Sequence, residues 1–125
     1  MKTGKAVKRK SKQPVADVWR PVIREIVEAF TKGDYALAKG ITSVKAPSKA
    51  RASHAKKYVA DYGETLTELP DETWATSESH WTGTHWDVLV DLWTRESGRS
   101  DLVLFLRVHE VGAGYAFEVD SLHVP

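Results

Sequence analysis

Apolar residues recur at helical spacing early in the chain and at alternate positions late in it. Val15, Val18, Trp19, Val22, Ile23, Ile26, Val27 and Phe30 lie three and four residues apart, one stripe of a 3.6-residue helix. Arg20, Arg24, Glu25 and Glu28 fall on its other side. Pro21 fits a helix only in the first turn, where its missing N–H has no partner to lose. Regular helix is therefore predicted from about Val18, with Asp17 as N-cap and Gly33 as its left-handed stop. Asp34 is expected to cap a short second helix, Tyr35 to Lys39, ended by Gly40. After an extended stretch, Ile41 to Pro47, Ser48 caps a third helix reaching about Tyr62, with Gly63 as its stop. Its apolar side is thin (Ala52, Ala55, Tyr58, Val59 and Tyr62), as suits a helix that covers a core rather than centring it.

From residue 64 the period falls to two. Thr65 to Leu69 reads as a short strand ended by Pro70. Trp86, Val88, Val90 and Leu92 alternate with His85, Asp87, Leu89, Asp91 and Trp93, a strand with one apolar face. Residues 95–99 turn the chain. Leu102, Leu104, Leu106 and Val108 then alternate with Asp101, Val103, Phe105, Arg107 and His109. A Gly112-Ala113-Gly114 turn leads into a closing strand, with Tyr115, Phe117 and Val119 on the apolar face and Glu118 and Asp120 opposite. Short turns between sequential strands make an antiparallel meander. Helices first and sheet after is an α+β order: N-terminal helices packed on a curled antiparallel sheet. Eleven large apolar residues from the strands face eight from the first helix. Each buried one contributes roughly 1.5–3 kcal/mol, so no metal or disulfide is required to hold them together.

Composition supports this picture. The chain has 125 residues, 42% hydrophobic and 28% charged, the balance of one ordinary globular domain. It holds no Cys, which removes disulfides, thiol nucleophiles and thiolate metal sites. Net charge is only +1, but residues 1–62 carry fifteen Lys/Arg against five Asp/Glu, and residues 63–125 carry three against twelve. Such halves attract, and basic helices across an acidic sheet are expected. The basic excess is densest in Lys2, Lys5, Lys8, Arg9, Lys10 and Lys12. With no acid and little apolar surface there, residues 1–13 are expected to form a disordered basic arm ahead of a single α+β domain, residues 14–125. A lysine-rich arm can hold nucleic-acid phosphates through counterion release, yet no aromatic residue interleaves the charges. No apolar stretch follows the arm as a secretory signal requires, and none is long enough to span a membrane. A cytoplasmic location is expected.

Two resemblances bear on the fold. The helix end Glu28-Ala29-Phe30-Thr31-Lys32-Gly33-Asp34-Tyr35 resembles that of the cone-shaped α+β superfamily containing ketosteroid isomerase and the nuclear transport factor. It implies a cone-like, curled sheet from about residue 15 to the C-terminus. The block Val90 to Leu102, with Asp120-Ser121-Leu122-His123-Val124, resembles a family of small bacterial proteins of uncharacterised function. Isomerases of the cone superfamily set a carboxylate base opposite hydrogen-bonding acids in a dry cavity, and no residue of this chain maps onto those roles by motif.

Candidate chemistry concentrates on the second sheet face. His85, Asp87, Asp91 and Trp93 are expected there with Asp101, Arg107, His109, Glu118 and Asp120. Imidazole titrates near neutral pH, so such a set can supply an acid and a base. It is equally what a solvated antiparallel face carries. Leu89, Val103, Phe105 and Leu122 are expected on the same face, which suggests that something covers part of it. Tryptophan is concentrated nearby: Trp74, Trp81, Trp86 and Trp93 lie within 20 positions. Indoles in a polar segment either cap a core edge or stand at a binding surface. The candidate binding surface is Trp81, His85, Asp87, Asp91, Trp93, Arg107 and His109, with no catalytic residue assigned. His80 and His85 lack metal-ligand spacing, and no phosphate loop or nucleophile elbow is present, so neither metal nor cofactor is expected. The preferred reading is a small non-enzymatic binding domain that takes a protein or small molecule, masking a protein partner. The alternative is a cone-fold enzyme of isomerase or hydrolase type acting on a hydrophobic small molecule. A nucleic-acid accessory ranks third.

Overall fold

In the computed structural model, which describes residues 5–125, the amphipathic stripe forms a short 3-10 turn, Asp17–Trp19, followed by α1, Arg20–Thr31. Pro21 sits in the first turn of α1. Asp17 does not act as the cap. Its carboxylate instead pairs with Arg20 Nη1 at 3.1 Å, while Arg20 Nε and Nη2 donate to Val15 O. Gly33 adopts the left-handed conformation that ends the helix. The expected helix Tyr35 to Lys39 does not form, because five residues give too few intrahelical bonds to offset nucleation. Turns replace it, with Asp34 Oδ1 accepting from the Ala38 N–H at 2.9 Å and Leu37 buried at a positive φ. The helix capped by Ser48 is α2, Lys49–Tyr62. Ser48 Oγ accepts from the Arg51 N–H at 3.1 Å, and Gly63 closes the end.

Five strands make one sheet: β1 (Val44–Lys45), β2 (Glu78–Trp81), β3 (Trp86–Thr94), β4 (Gly98–Val111) and β5 (Gly114–His123). Their order is β1-β5-β4-β3-β2, antiparallel except for the β1–β5 pair. Thr65 to Leu69 is not a strand of its own, since Leu66 only bridges Thr94 and Thr67 N–H donates to Trp93 O. The alternating residues Trp86 to Leu92, Leu102 to Val108, Phe117 and Val119 are buried against Trp19, Ile23, Ile26, Val27 and Phe30 in one contiguous cluster. Trp19, Trp86 and Tyr115 meet edge to face, with centroids 5.0–5.8 Å apart.

Two expectations need correction. Leu122 was placed by alternation on the second face, but it is wholly buried in the core opposite Leu104. A bulge explains the difference. Phe105 pairs with Ser121 and Leu106 with Val119, so Asp120 is an extra residue that shifts the phase. Nor does the sheet curl into a cone: it is open and mixed. Its flanking strands have two and four residues, too few to build a wall round a cavity, and α1 with its large side chains fills the inner side.

The charge halves do attract. Lys8, Lys12, Arg24, Lys45 and Arg51 each pair with a carboxylate of the second half. Both sheet edges are covered. β1 and α2 lie along β5, the Asp71–Ala75 turn lies along β3 beyond the end of β2, and residues 9–13 meet β2 through Arg9 and Gln13. Residues 1–4 of the expected arm lie outside the described residues.

Candidate functional site

α1 packs on one face of the sheet; the side chains of the other face are mostly half-buried, and α2, along the β5 edge, reaches its margin through Arg51 and Tyr58. Strand pairing builds this open face residue by residue. Asp87 stands opposite Arg107 on β4 and opposite His80 on β2. Leu89 stands opposite Phe105, and Asp91 opposite Val103. Arg107 also neighbours Glu118 on β5.

The polar groups are tied into two clusters. Asp87 lies between two imidazoles, hydrogen-bonded to His85 Nε2 at 3.0 Å through Oδ1, with His80 Nε2 3.5 Å from Oδ2. His85 and His109 have ring centroids 5.4 Å apart, and His109 Nε2 is 3.6 Å from Glu118 Oε1. Glu118 Oε2 also lies 3.8 Å from Lys45 Nζ and 4.0 Å from Arg51 Nη1. The bulged Asp120 collects Arg107 at 3.4 Å and Arg51 at 3.6 Å. Leu89, Phe105 and the buried Val103 lie two to four residues farther along β3 and β4, to one side of both clusters, and the His123 ring stacks on Phe105 at 4.5 Å. His80, Asp87, Leu89, Phe105, Arg107 and Asp120 line an open depression of about 290 Å³. Among the described residues no group of three or more His, Asp or Glu is arranged to hold a metal ion.

Of the seven sequence candidates, His85, Asp87, Arg107 and His109 come together. Asp91 shares their face but is tied aside, accepting from Thr76 Oγ1 at 2.5 Å. Trp93 lies six residues along β3 from Asp87, about 20 Å away, with its ring over Gly98 and its indole N–H buried without a partner. Trp81 is on the opposite face. It pairs with Trp86, packs against that ring at 4.6 Å, and has Lys8 Nζ 4.9 Å above it. Sequence reasoning missed His80, Lys45, Arg51 and His123 as members of the site. The alternation of β2 is only four residues long, which hid the face His80 takes, and only the charge contrast between the halves pointed towards Lys45 and Arg51.

The arrangement offers ordered donors and acceptors beside an apolar patch. A family described as a domain of unknown function (DUF7668) matches residues 27–125, a range that includes both sequence blocks, Val90 to Leu102 and Asp120 to Val124. No curated protein and no solved structure matches the chain, so the resemblance to the cone-shaped superfamily gains no structural neighbour. No helix among the described residues is long and apolar enough to cross a membrane.

Proposed function

The chain belongs to the DUF7668 family, and from that premise we propose that it is a small non-enzymatic binding domain whose open sheet face docks a protein partner. One observation carries the reading. Leu89, Val103 and Phe105 form an apolar patch on β3 and β4, with the His80–Asp87–His85, His109–Glu118 and Arg107–Asp120 groups beyond one end of it and Asp91 at the other, on the face that α1 does not cover. An apolar patch flanked by polar groups is the usual anatomy of an interface, and aromatic and arginine side chains such as Phe105 and Arg107 carry much of the binding energy in such places. Covered edges favour a partner that meets the face over one that adds a strand to it.

The enzyme reading has less behind it. Acid–base chemistry on a hydrophobic molecule gains most in a water-excluded pocket, and the depression here is open. The cone-like fold that would carry such an enzyme is also not the one observed, since the sheet is open and mixed.

The test uses the full chain and a double substitution, Phe105→Glu with Arg107→Glu, beside a control, Lys49→Glu with Lys56→Glu, on the exposed side of α2. A protein captured from host extract by the unaltered chain should be lost with the first variant and kept with the control. Capture that survives the first variant would refute the open face as the docking surface.

A further inference from the structure

A second surface, on the other side of the molecule's chemistry, lies at the outer edge of β2. Residues 9–13 meet it with a bend at Lys10 and Ser11, and residues 5–8 continue past its end towards Trp86, Glu110 and Tyr115; only Gln13 is buried, and its Nε2 donates to Val7 O at 2.6 Å. Gln13 and Ser79 exchange both main-chain bonds, at 2.9 and 2.8 Å, and Trp81 N–H donates to Arg9 O at 2.6 Å. Residues 10–12 are exposed between those bonds. Two side chains of the fold reach out to the same segment. The indole N–H of Trp86, a residue otherwise wholly buried, donates to Val7 O at 2.9 Å, and Tyr115 OH accepts from the Ala6 N–H at 3.0 Å. Lys8 Nζ lies 2.7 Å from Glu110 and over the Trp81 ring, and Lys12 Nζ lies 3.6 Å from Glu78.

We propose that the outer edge of β2, with the end of the sheet beside it, is a docking site for lysine-rich peptide segments, and that residues 5–13 of this chain occupy it in cis. The edge is built for a main chain. Trp86 needs an acceptor at its buried N–H, and Ser79 and Trp81 present the N–H groups that a paired strand satisfies. It is also built for cations: Glu78, Glu110 and the Trp81 ring meet the two lysines, and an acidic segment would be repelled by the same carboxylates. The segment in place buries little of its own. Val7, its largest apolar residue, is 55% exposed. It is held by main-chain bonds and charge, and any chain with that pattern can make both. Tethering gives the cis segment an effective concentration on the order of millimolar, so a segment in trans gains access when the cis one is released. The family match starts at Val27, which leaves residues 5–13 outside it.

The test releases the segment within the full chain by the triple substitution Lys8→Glu, Lys12→Glu and Gln13→Pro. The probe is a labelled synthetic peptide of residues 5–13, read by fluorescence anisotropy. The variant should bind it at least about tenfold more tightly than the unaltered chain, and a peptide with every lysine replaced by glutamate should bind neither. Amide hydrogen exchange gives an independent reading. Ser79 and Trp81 N–H should be protected in the unaltered chain, exposed in the variant and protected again on adding the peptide, while the amides of Val88 and Leu106 stay slow throughout. If the triple variant loses protection at Val88 and Leu106, Lys8→Glu with Lys12→Glu carries the same test. Equal peptide binding by the unaltered and released chains, no binding by the released chain, or unprotected Ser79 and Trp81 in the unaltered chain would each overturn the proposal. None of these results bears on the open face.

Discussion

Leu104 and Phe105 are neighbours in β4, and they belong to different worlds. Leu104 is fully buried between Val90 and Leu122, under the helix layer. Phe105, one residue on, lies between Leu89 and Ser121 with a histidine ring stacked on it and no helix above. The first side chain is surrounded by protein that exists to bury it. The second is partly covered by the His123 ring, which is itself held by a hydrogen bond with Ser121 at 3.2 Å. The same strand thus supplies stability on one side and a prepared surface on the other, because successive residues point to opposite faces.

The largest expected effect tests that division directly. Leu104→Ala removes packed methyl groups from a site with no room to relax and should cost about 2–5 kcal/mol in denaturant unfolding. Phe105→Ala should cost much less, about 1 kcal/mol or below, although it deletes the larger side chain. Comparable losses at the two positions would mean that the second face is a core in its own right, and the docking surface would go with the distinction.

A smaller effect is expected where the division depends on an irregularity. Between Asp91 and Trp93 the β3–β4 register shifts, and Ser100 fills the gap: its Oγ donates to Leu92 O at 2.8 Å and accepts from the Leu102 N–H at 3.1 Å. That hydroxyl lets both Leu92 and Leu102 face the core across the shift. Ser100→Ala strands two buried backbone groups and should cost about 1–3 kcal/mol. Amide exchange should show the loss as faster exchange at Leu102 than at Leu104. A Leu102 amide as slow as before would show that the hydroxyl does not hold the register.

These irregularities also mark where the sequence stops being legible. Alternation locates three strands, the core face and the four residues His85, Asp87, Arg107 and His109 that do meet, because a strand without bulges has a fixed phase. It fails at Leu122, where one extra residue, Asp120, turns the rest of β5 over, and nothing in the residue types announces that. Trp81 is misjudged for a different reason. Its segment looks polar because Ser79 and Ser77 are small, but both are buried, and the ring completes the core edge beside Trp86. The two capping outcomes divide similarly. Ser48 is flanked by a helix long enough to need its cap, whereas the segment after Asp34 is too short to become one. Long-range pairing stays out of reach throughout: Arg51 meets Glu118 and Asp120 across 67 and more positions of chain, and only the opposed charges of the two halves hint that it must.

The smallest effect concerns pH, and it belongs at the rim of the faces rather than on either one. Glu96, in the turn between β3 and β4, accepts from Thr65 N–H at 2.7 Å through Oε1 and from Thr65 Oγ1 at 3.0 Å through Oε2. The backbone bond from Thr65, foremost, holds its carboxyl below the ordinary value of 4.5. A carboxyl whose folded value is depressed adds stability above its unfolded value and loses it as pH falls through the folded one. Glu96→Gln should therefore lower Tm slightly at neutral pH, and the gap to the unaltered chain should close in acid, below 4.5. The group is exposed, so added salt should shrink the gap too. A gap that persists unchanged in acid would show that the ionised carboxylate is not what clasps residues 65 and 96 together, and that the turn is held by the Arg95 N–H bond to Thr65 O and by Glu64, which accepts from Thr94 Oγ1 at 2.6 Å and from Ser97 Oγ at 2.8 Å.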